Sequence, residues 1–191
     1  ENMVFSQHFC DEEAFNPWLN PFIRNAVGCM EFGGCFLNKC LNRNNDGGTT
    51  RRTTDIFQLA TAILFQNPVQ NFALAPNNLN DVSPVCMDFM KQVPVTWDET
   101  RFIEGYPGKY IVLARRHGDT WYVAAVNAGS EPLKLKFDLD MFAGKTVSLY
   151  KDDKRGEPQL IPLKVKEKGR VQLEVYPQGG IVLSDRIEET L

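Results

Sequence analysis

Carboxyl groups are concentrated near the start of the chain, where Asp11, Glu12 and Glu13 form an acidic triplet. Oxygen ligands of this kind suit calcium, so the triplet could approach a bound ion. A run of adjacent charges in a loop is more often a solvated surface, and we favour that interpretation. Gly33-Gly34 would let backbone approach a ligand closely, but a glycine pair alone is weak support for a site.

Aromatic side chains offer a second kind of chemistry, because their faces stack on sugar rings. Four of them could form such a platform in the second half of the chain: Trp97, Tyr106, Trp121 and Tyr122. The alternation of Tyr122 with Ala124 and Val126 instead predicts packing in a core or between domains. We favour the packing interpretation for all four.

Composition excludes several classes of protein. The 191 residues carry a formal net charge of -3, which gives no electrostatic reason to expect nucleic acid or an anionic membrane as partner. No apolar run approaches the roughly 20 residues that cross a bilayer. The five cysteines are odd in number and contain no C-x-x-C pair, so we predict small apolar thiols rather than a zinc site or disulfide framework.

Helical patterns are confined to the first half of the chain. Asp55-Ile56-Phe57-Gln58 has the spacing of a helix start, with Asp55 accepting from free backbone N–H groups and Gln58 reaching back. The helix at 54–65 is apolar nearly all round, which predicts burial on several sides. Ser83-Pro84 predicts a second helix, with Ser83 as its cap and Pro84 in its first turn, that Pro94 ends.

A period of two dominates from Lys109 onward, most cleanly at 133–140, and indicates antiparallel strands with one buried face. Turn residues separate the apolar runs about every ten residues, which is typical of a small β-sandwich. The predicted strands are 109–115, 120–127, 133–140, 145–150, 159–166, 170–176 and 180–184.

The first half poses a problem, because two helices and a short strand at Asn25 to Cys29 could hardly close a core of their own. The helix at 54–65 nevertheless demands burial. We therefore expect either that part of the fold is missing from this chain or that a partner supplies it.

Four stretches resemble glycoside hydrolase family 97, the α-glucosidase and α-galactosidase family of the Bacteroidetes type. They are Asn20-Pro21-Phe22-Ile23-Arg24-Asn25-Ala26-Val27-Gly28-Cys29-Met30-Glu31-Phe32, the run from Arg51 to Ala60, the run from Val95 to Tyr110, and Ala114-Arg115-Arg116 with Trp121-Tyr122-Val123. The match covers about residues 20 to 127 and continues more loosely to the end.

The resemblance implies an α+β fragment, in which the last βα segment of a (β/α)8 barrel precedes an all-β antiparallel sandwich. Residues 1–94 would be the end of the catalytic barrel and residues 95–191 the C-terminal domain. The segment from Asn25 to Glu31 would be the last barrel strand, and the helix at 54–65 would belong to the final βα unit. The rest of the barrel and an N-terminal domain would lie elsewhere in the parent protein.

The resemblance also implies site residues. The family cleaves glycosidic bonds with paired carboxyl groups, and Glu1 is the candidate general acid and, in calcium-dependent members, a metal ligand. The alternative is that the acid lies upstream and Glu1 is an ordinary exposed carboxylate. Asn16 takes the place of a sugar-site histidine and can hydrogen-bond a hydroxyl, although it cannot titrate near neutrality. Trp18, in the same loop, is a candidate stacking platform.

The resemblance places Arg24 and Glu31 on the last barrel strand. Arg24 could offer a bidentate fork to a carboxylate, and Glu31 occupies the position of the family's aspartate. A structural ion pair within the barrel is the interpretation that we favour slightly over direct sugar contact.

Two functions follow. The parent protein would hydrolyse α-glucosides or α-galactosides, in the periplasm or outside the cell by resemblance, with an oligosaccharide or glycoside as its partner and no nucleic acid or membrane. Alternatively, the β-domain would be a structural or carbohydrate-binding module. We expect the isolated chain to be inactive, and the choice between inversion and retention stays open because the base or nucleophile would lie on an earlier strand.

Overall fold

The computed structural model describes residues 6–30, 37, 39–40, 44, 48–74 and 76–186. Five α-helices fall in the first half and eight strands in the second. The helices are α1 Gln7–Glu12, α2 Phe15–Leu19, α3 Arg24–Val27, α4 Asp55–Leu64 and α5 Pro84–Gln92. The strands are β1 Glu99–Tyr106, β2 Tyr110–His117, β3 Thr120–Asn127, β4 Leu133–Asp138, β5 Thr146–Asp152, β6 Pro158–Lys164, β7 Arg170–Val175 and β8 Gly179–Ser184. Short 3-10 helices lie at Pro76–Asp81 and Asp140–Phe142.

The strands form two antiparallel sheets. Six strands pair in the order β1-β2-β3-β8-β5-β6, and β4 pairs with β7 in a separate two-stranded sheet. Side chains between the two sheets form one apolar core, which includes Val123 and Ala125 of β3 with Leu135 of β4 and Val171 of β7. This packing confirms the predicted antiparallel sandwich.

The other face of the six-stranded sheet carries the helices. Tyr122, Ala124 and Val126 of β3 share a second apolar core with α4 and α5, so successive residues of β3 serve opposite cores. The predicted packing role of this alternation is confirmed. The molecule therefore has three layers, with helices, a central sheet and a small outer sheet.

The predicted strands agree with the observed β2 to β8, and only β1 was missed. The period of two explains the agreement for β4 and β7, which alternate buried and exposed residues, whereas β6 was located although it is an edge strand without a buried residue. β1 is an edge strand with alternating half-buried and exposed residues, and a bulge between Phe102 and Glu104 interrupts its register with β2. Its pattern is correspondingly weak.

Helix α4 is buried as predicted, but part of what covers it comes from this chain itself. Residues 56–64 are all buried, and the helix packs against β8 and β3 of the same chain. The sheet thus covers one side of the helix that the sequence left without a partner. Thr54, rather than Asp55, is the N-cap, and its Oγ1 accepts a hydrogen bond from the Phe57 N–H at 3.1 Å.

Helix α5 begins as predicted with Pro84 in its first turn and ends at Gln92, just before Pro94. The Ser83 side chain makes no capping hydrogen bond, so that part of the prediction is wrong. Phe89 of α5 is buried and packs edge-on against Tyr150 of β5, with ring centroids 5.2 Å apart.

The strand predicted at Asn25 to Cys29 is wrong, because Arg24–Val27 forms the short helix α3. The Asn25 N–H donates to the carbonyl of Asn20 at 2.9 Å, which closes a local turn instead of a sheet ladder. Glu31 lies outside the described residues. The assignment of residues 1–94 to a barrel stays a prediction, as does the domain boundary near 94.

Backbone contact between α4 and β8 is unusually close at Gly180. A Cβ on Gly180 would lie 2.7 Å from the carbonyl oxygen of Ile56 and 2.8 Å from the Cα of Phe57. Thr54 N–H also donates to the carbonyl of Gln178 at 2.9 Å. Glycine at 180 is therefore required by the approach of the helix, since any side chain would push the two elements apart.

In the described part of the chain, no helix is both long and apolar enough to cross a membrane.

Gly180→Ala should lower the free energy of unfolding by about 1–3 kcal/mol, because its methyl group meets immobile backbone of α4. Urea denaturation measures the change. Gly28→Ala is the matched control, since a Cβ there meets no atom within 4 Å, and it should change stability by less than about 0.5 kcal/mol. Equal stability of the two variants would contradict the close contact.

Candidate functional site

The densest group of polar side chains surrounds the first turn of α4. Thr54 Oγ1 donates to Asp152 Oδ2 at 2.7 Å, and the same oxygen accepts from the N–H of Gly180 at 3.0 Å. The backbone N–H of Ile56 also hydrogen-bonds the Asp152 carboxyl. Asp152, at the end of β5, therefore receives the first turn of the helix and joins it to the sheet.

The Asp152 carboxyl is 2% exposed, and its Oδ1 has no hydrogen-bond partner. Burial raises the pKa of Asp152 to about 7, because a charged carboxylate loses its hydration there. The three hydrogen bonds oppose that rise, and the nearby negative charge of Asp55 adds to it. The group thus titrates near neutral pH at a point where two layers of the fold meet.

Glu13 binds to the same turn from the other side. Its Oε1 accepts from Gln58 Nε2 at 2.8 Å and its Oε2 from Thr53 Oγ1 at 3.1 Å. Burial raises the pKa of Glu13, and the Arg51 charge and these two hydrogen bonds oppose the rise. Gln58, which the sequence predicted to reach back as part of a cap, instead bridges Glu13 and Thr53.

The acidic triplet is therefore only partly a solvated run. Asp11 and Glu12 are exposed, as predicted, and the hydrogen bond from Arg52 to Asp11 at 2.7 Å lowers the pKa of Asp11. For Glu13 the prediction is wrong, because its carboxyl lies against α4. Within the described residues no group of three or more His, Cys, Asp or Glu side chains could hold a metal ion, so the described triplet does not fit a calcium site.

Arg51 lies beside Glu13 and is 5% exposed. It donates to the carbonyl of Thr53 at 2.7 Å and forms a close ion pair with Asp55 one helical turn away. The pair places a carboxylate in the first turn of α4, where the helix dipole favours negative charge.

A polar cavity of about 310 Å³ adjoins this turn. Charged groups of both signs line it, together with Thr53 and Thr54; they are Lys39, Arg51, Arg52, Asp55, Asp81, Arg155 and Glu157. Neither Glu13 nor Asp152 lines this cavity. Both carboxyls are instead engaged by donors at the start of α4, an arrangement that stabilises the joint between helix and sheet.

The opposite end of α4 meets a cation. Arg115 of β2 is 2% exposed and donates to the carbonyl of Leu64, the last residue of the helix, at 3.3 Å. Burial lowers the pKa of Arg115 to about 10. A guanidinium at a helix C-terminus complements the dipole, so the sheet supplies an acid to one end of α4 and a base to the other.

The aromatic residues of the second half serve packing. Trp97 lies edge-on to Tyr122 at 5.5 Å between ring centroids, with Arg115 5.9 Å from the Trp97 ring. Trp121 is buried, and the guanidinium of Arg101 covers its ring at 4.5 Å. Tyr106 differs, since it is 62% exposed at the β1–β2 turn.

The predicted site residues are not brought together by the described structure. Asn16 and Trp18 are both half-buried on α2, and Trp18 packs against the helix-side core with its indole nitrogen buried and unpartnered. Arg24 is exposed on α3. Glu1 and Glu31 lie outside the described residues, so their roles stay predictions.

Comparison with known proteins supports the family resemblance. A family profile described as "Glycosyl-hydrolase 97 C-terminal, oligomerisation" matches residues 96–184. A retaining alpha-galactosidase of Bacteroides thetaiotaomicron is 27% identical over 198 residues, which cover 96% of this chain and 29% of that protein. The chain is similar to the C-terminal part of glycoside hydrolase family 97 enzymes. The predicted resemblance is thereby confirmed.

Two solved structures extend the comparison. A crystal structure of a beta-arabinopyranosidase is 80% identical with a TM-score of 0.92, over 96% of this chain and 29% of that one. A family 97 enzyme from Pseudoalteromonas sp. strain K8, in complex with acarbose, is 23% identical with a TM-score of 0.75, over 94% of this chain and 30% of that one. The chain therefore spans less than a third of these family 97 relatives and of the beta-arabinopyranosidase.

The motifs that carried the family 97 resemblance lie where the two halves of the chain meet. Phe22 of the first motif packs edge-on against Phe102 of the third, with ring centroids 6.0 Å apart. Thr54 of the second binds Asp152, and Arg115 of the fourth binds the end of α4. The Thr53-Thr54-Asp55 triplet signals a cap in the sequence, whereas nothing near Asp152 identifies its partner.

Glu13→Ala should lower the free energy of unfolding by about 1–3 kcal/mol, because it leaves the buried amide of Gln58 short of an acceptor. Glu12→Ala, the exposed neighbour, should change it by less than about 0.5 kcal/mol. Thermal and urea denaturation of both variants compare them directly. A cost for Glu12→Ala as large as that for Glu13→Ala would contradict the placement of the triplet.

Proposed function

We propose that the parent protein is a glycosidase that cleaves β-L-arabinopyranosidic and α-D-galactosidic bonds, and that this chain is its C-terminal portion, which is inactive by itself. The observation that carries the proposal is the 80% identity to a beta-arabinopyranosidase across nearly the whole chain. The alpha-galactosidase relative supports the same class at greater distance.

The two substrate names describe closely related sugars. A β-L-arabinopyranoside has the ring configuration of an α-D-galactopyranoside and lacks only the C6 hydroxymethyl group. A site that binds both sugars has room for the C6 hydroxymethyl group, and that room stays empty when the arabinoside is bound. Because one small group in a pocket changes discrimination by only about 1–3 kcal/mol, activity on both sugars is expected with a preference for one.

The proposed chemistry uses two carboxyl groups, one to protonate the leaving oxygen and the other to attack the anomeric carbon or activate water. Glu1 is the candidate general acid, and the second carboxyl would come from an earlier part of the parent. Asn16, Trp18, Arg24 and Glu31 stay candidate sugar contacts. Calcium and a periplasmic or secreted location rest on resemblance alone.

The described residues support a positioning role for this chain. Both carboxyls with raised pKa are engaged by the protein's own donors, and neither lines the cavity. The β-domain thus serves to hold the helical segment, which we assign to the end of the catalytic barrel.

A second function, oligomerisation, is favoured by the description of the matching family profile. Edge-to-edge strand pairing is an unsuitable route, since β1 carries a bulge and β6 contains Pro158 and Pro162. Association would therefore use side chains on the surface of the β-domain, and analytical ultracentrifugation of residues 95–191 and of the whole chain would test it.

The test of the proposed activity is nitrophenol release from aryl β-L-arabinopyranoside, α-D-galactopyranoside and α-D-glucopyranoside. The parent protein should hydrolyse the first fastest and the glucoside slowest, while the 191-residue chain should show no turnover with or without calcium.

Two outcomes would contradict this account. A parent protein that prefers the glucoside would overturn the substrate class. Turnover by the isolated chain above that of its Glu1→Gln variant would show that these residues hold a working acid and its partner.

A further inference from the structure

The carboxyl of Asp152 that contacts the first turn of α4 is only partly satisfied by hydrogen bonds. The carboxyl is buried, one oxygen has no hydrogen-bond partner, and the other accepts from the Thr54 hydroxyl and the Gly180 N–H. In the described part of the chain no cation is paired with it. A buried carboxylate in such surroundings is costly to ionise.

The charges around Asp152 reinforce that cost. From α4, Asp55 presents a second negative charge, and the nearby Arg51 is already bound to Asp55. The β8 strand contributes Gly179 and Gly180 beside Asp152, and β6 contributes Pro158 opposite Asp152. In the following turn, Asp153 and Arg155 pair with each other at 3.5 Å.

The geometry also offers a way to open. Thr54 and Asp55 line the polar cavity, as do Gly156 and Pro158 beside the end of β5. A small outward movement of the first turn would therefore bring water from this cavity to Asp152. The charged carboxylate would regain hydration there, whereas the neutral acid gains little.

We propose that Asp152 is a proton-sensitive latch, through which the β-domain holds the first turn of α4 tightly when the carboxyl is neutral and loosely when it is charged. Thr54 is the receiving residue of the latch. The proposal concerns the joint between the two halves of the chain and does not depend on the substrate of the parent protein.

The pH range follows from the titration of Asp152. Burial raises its pKa from 3.8 to about 7, so the stability that the neutral acid contributes is complete below about pH 4 and is lost as the pH rises through about 7. Glu13, whose pKa burial also raises, acts in the same direction, so the test must isolate Asp152.

Amide hydrogen exchange of Ile56 and Phe57 reads the latch directly. First-turn amides have no partner within their helix, and here Ile56 N–H binds Asp152 while Phe57 N–H binds Thr54. In the 191-residue chain, the protection factors of both should fall about tenfold or more between pH 5 and pH 8, after correction for intrinsic exchange. Amides of β2 and β3 should change much less.

Variants separate the latch from general effects of pH. Asp152→Asn should abolish the pH dependence at Ile56. Asp138→Asn, an exposed carboxyl on β4 paired with Arg170, is the control and should keep it. Thr54→Val removes a donor that lowers the pKa of Asp152. The midpoint of the Ile56 response should therefore move to higher pH in this variant, and a move to lower pH would contradict the latch. Thr54→Ser, which retains the hydroxyl, should restore the wild-type midpoint.

Three results would overturn the proposal: Ile56 protection independent of pH in the wild-type chain, a pH dependence in Asp152→Asn equal to that of wild type, or an unchanged midpoint in Thr54→Val. Should Asp152→Asn fail to fold, the midpoints of wild type, Thr54→Val and Thr54→Ser decide the matter. No substrate is used, so the outcome is distinct from that of the activity assay.

Discussion

The close packing of α4 on the six-stranded sheet determines which other contacts the structure needs. The helix can approach β8 closely because residue 180 is a glycine, and at that distance Ile56 and Phe57 in its first turn are fully buried. Unsatisfied backbone groups at a buried helix end are costly. The sheet must therefore supply their partners, and it does so with Asp152 at one end and Arg115 at the other.

Each of these partners carries a cost of its own. The signs of their charges match the helix dipole, yet burial shifts the pKa of Asp152 upward and that of Arg115 downward, each toward the neutral form. The joint is therefore held by buried polar contacts whose strength depends on pH. An apolar contact of the same area would be indifferent to pH.

Sequence patterns predicted elements better than they predicted contacts. A period of two located strands such as β4 and β7, which bury one face, and it failed for β1, whose register with β2 a bulge interrupts. The apolar residues all round α4 correctly indicated that the helix is buried, but they could not indicate which element covers it. The missing partner was in part the β-domain of the same chain, which lies more than fifty residues further along.

The polar cluster was harder still to predict. Glu13 looked like its neighbours Asp11 and Glu12, because only the fold brings it to Gln58, 45 positions away. Thr54 and Asp152 are 98 positions apart. Family resemblance was the stronger guide, since its motifs contain Phe22, Thr54 and Arg115, the residues through which the two halves touch.

A double-mutant cycle between Thr54 and Asp152 tests most directly whether the sheet holds α4 through its first turn. The free energies of unfolding of wild type, Thr54→Val, Asp152→Asn and the double variant should give a coupling energy of about 1 kcal/mol at pH 5, where the Asp152 carboxyl is neutral, as for an ordinary buried hydrogen bond. Single-variant effects that add to within about 0.5 kcal/mol would contradict the account.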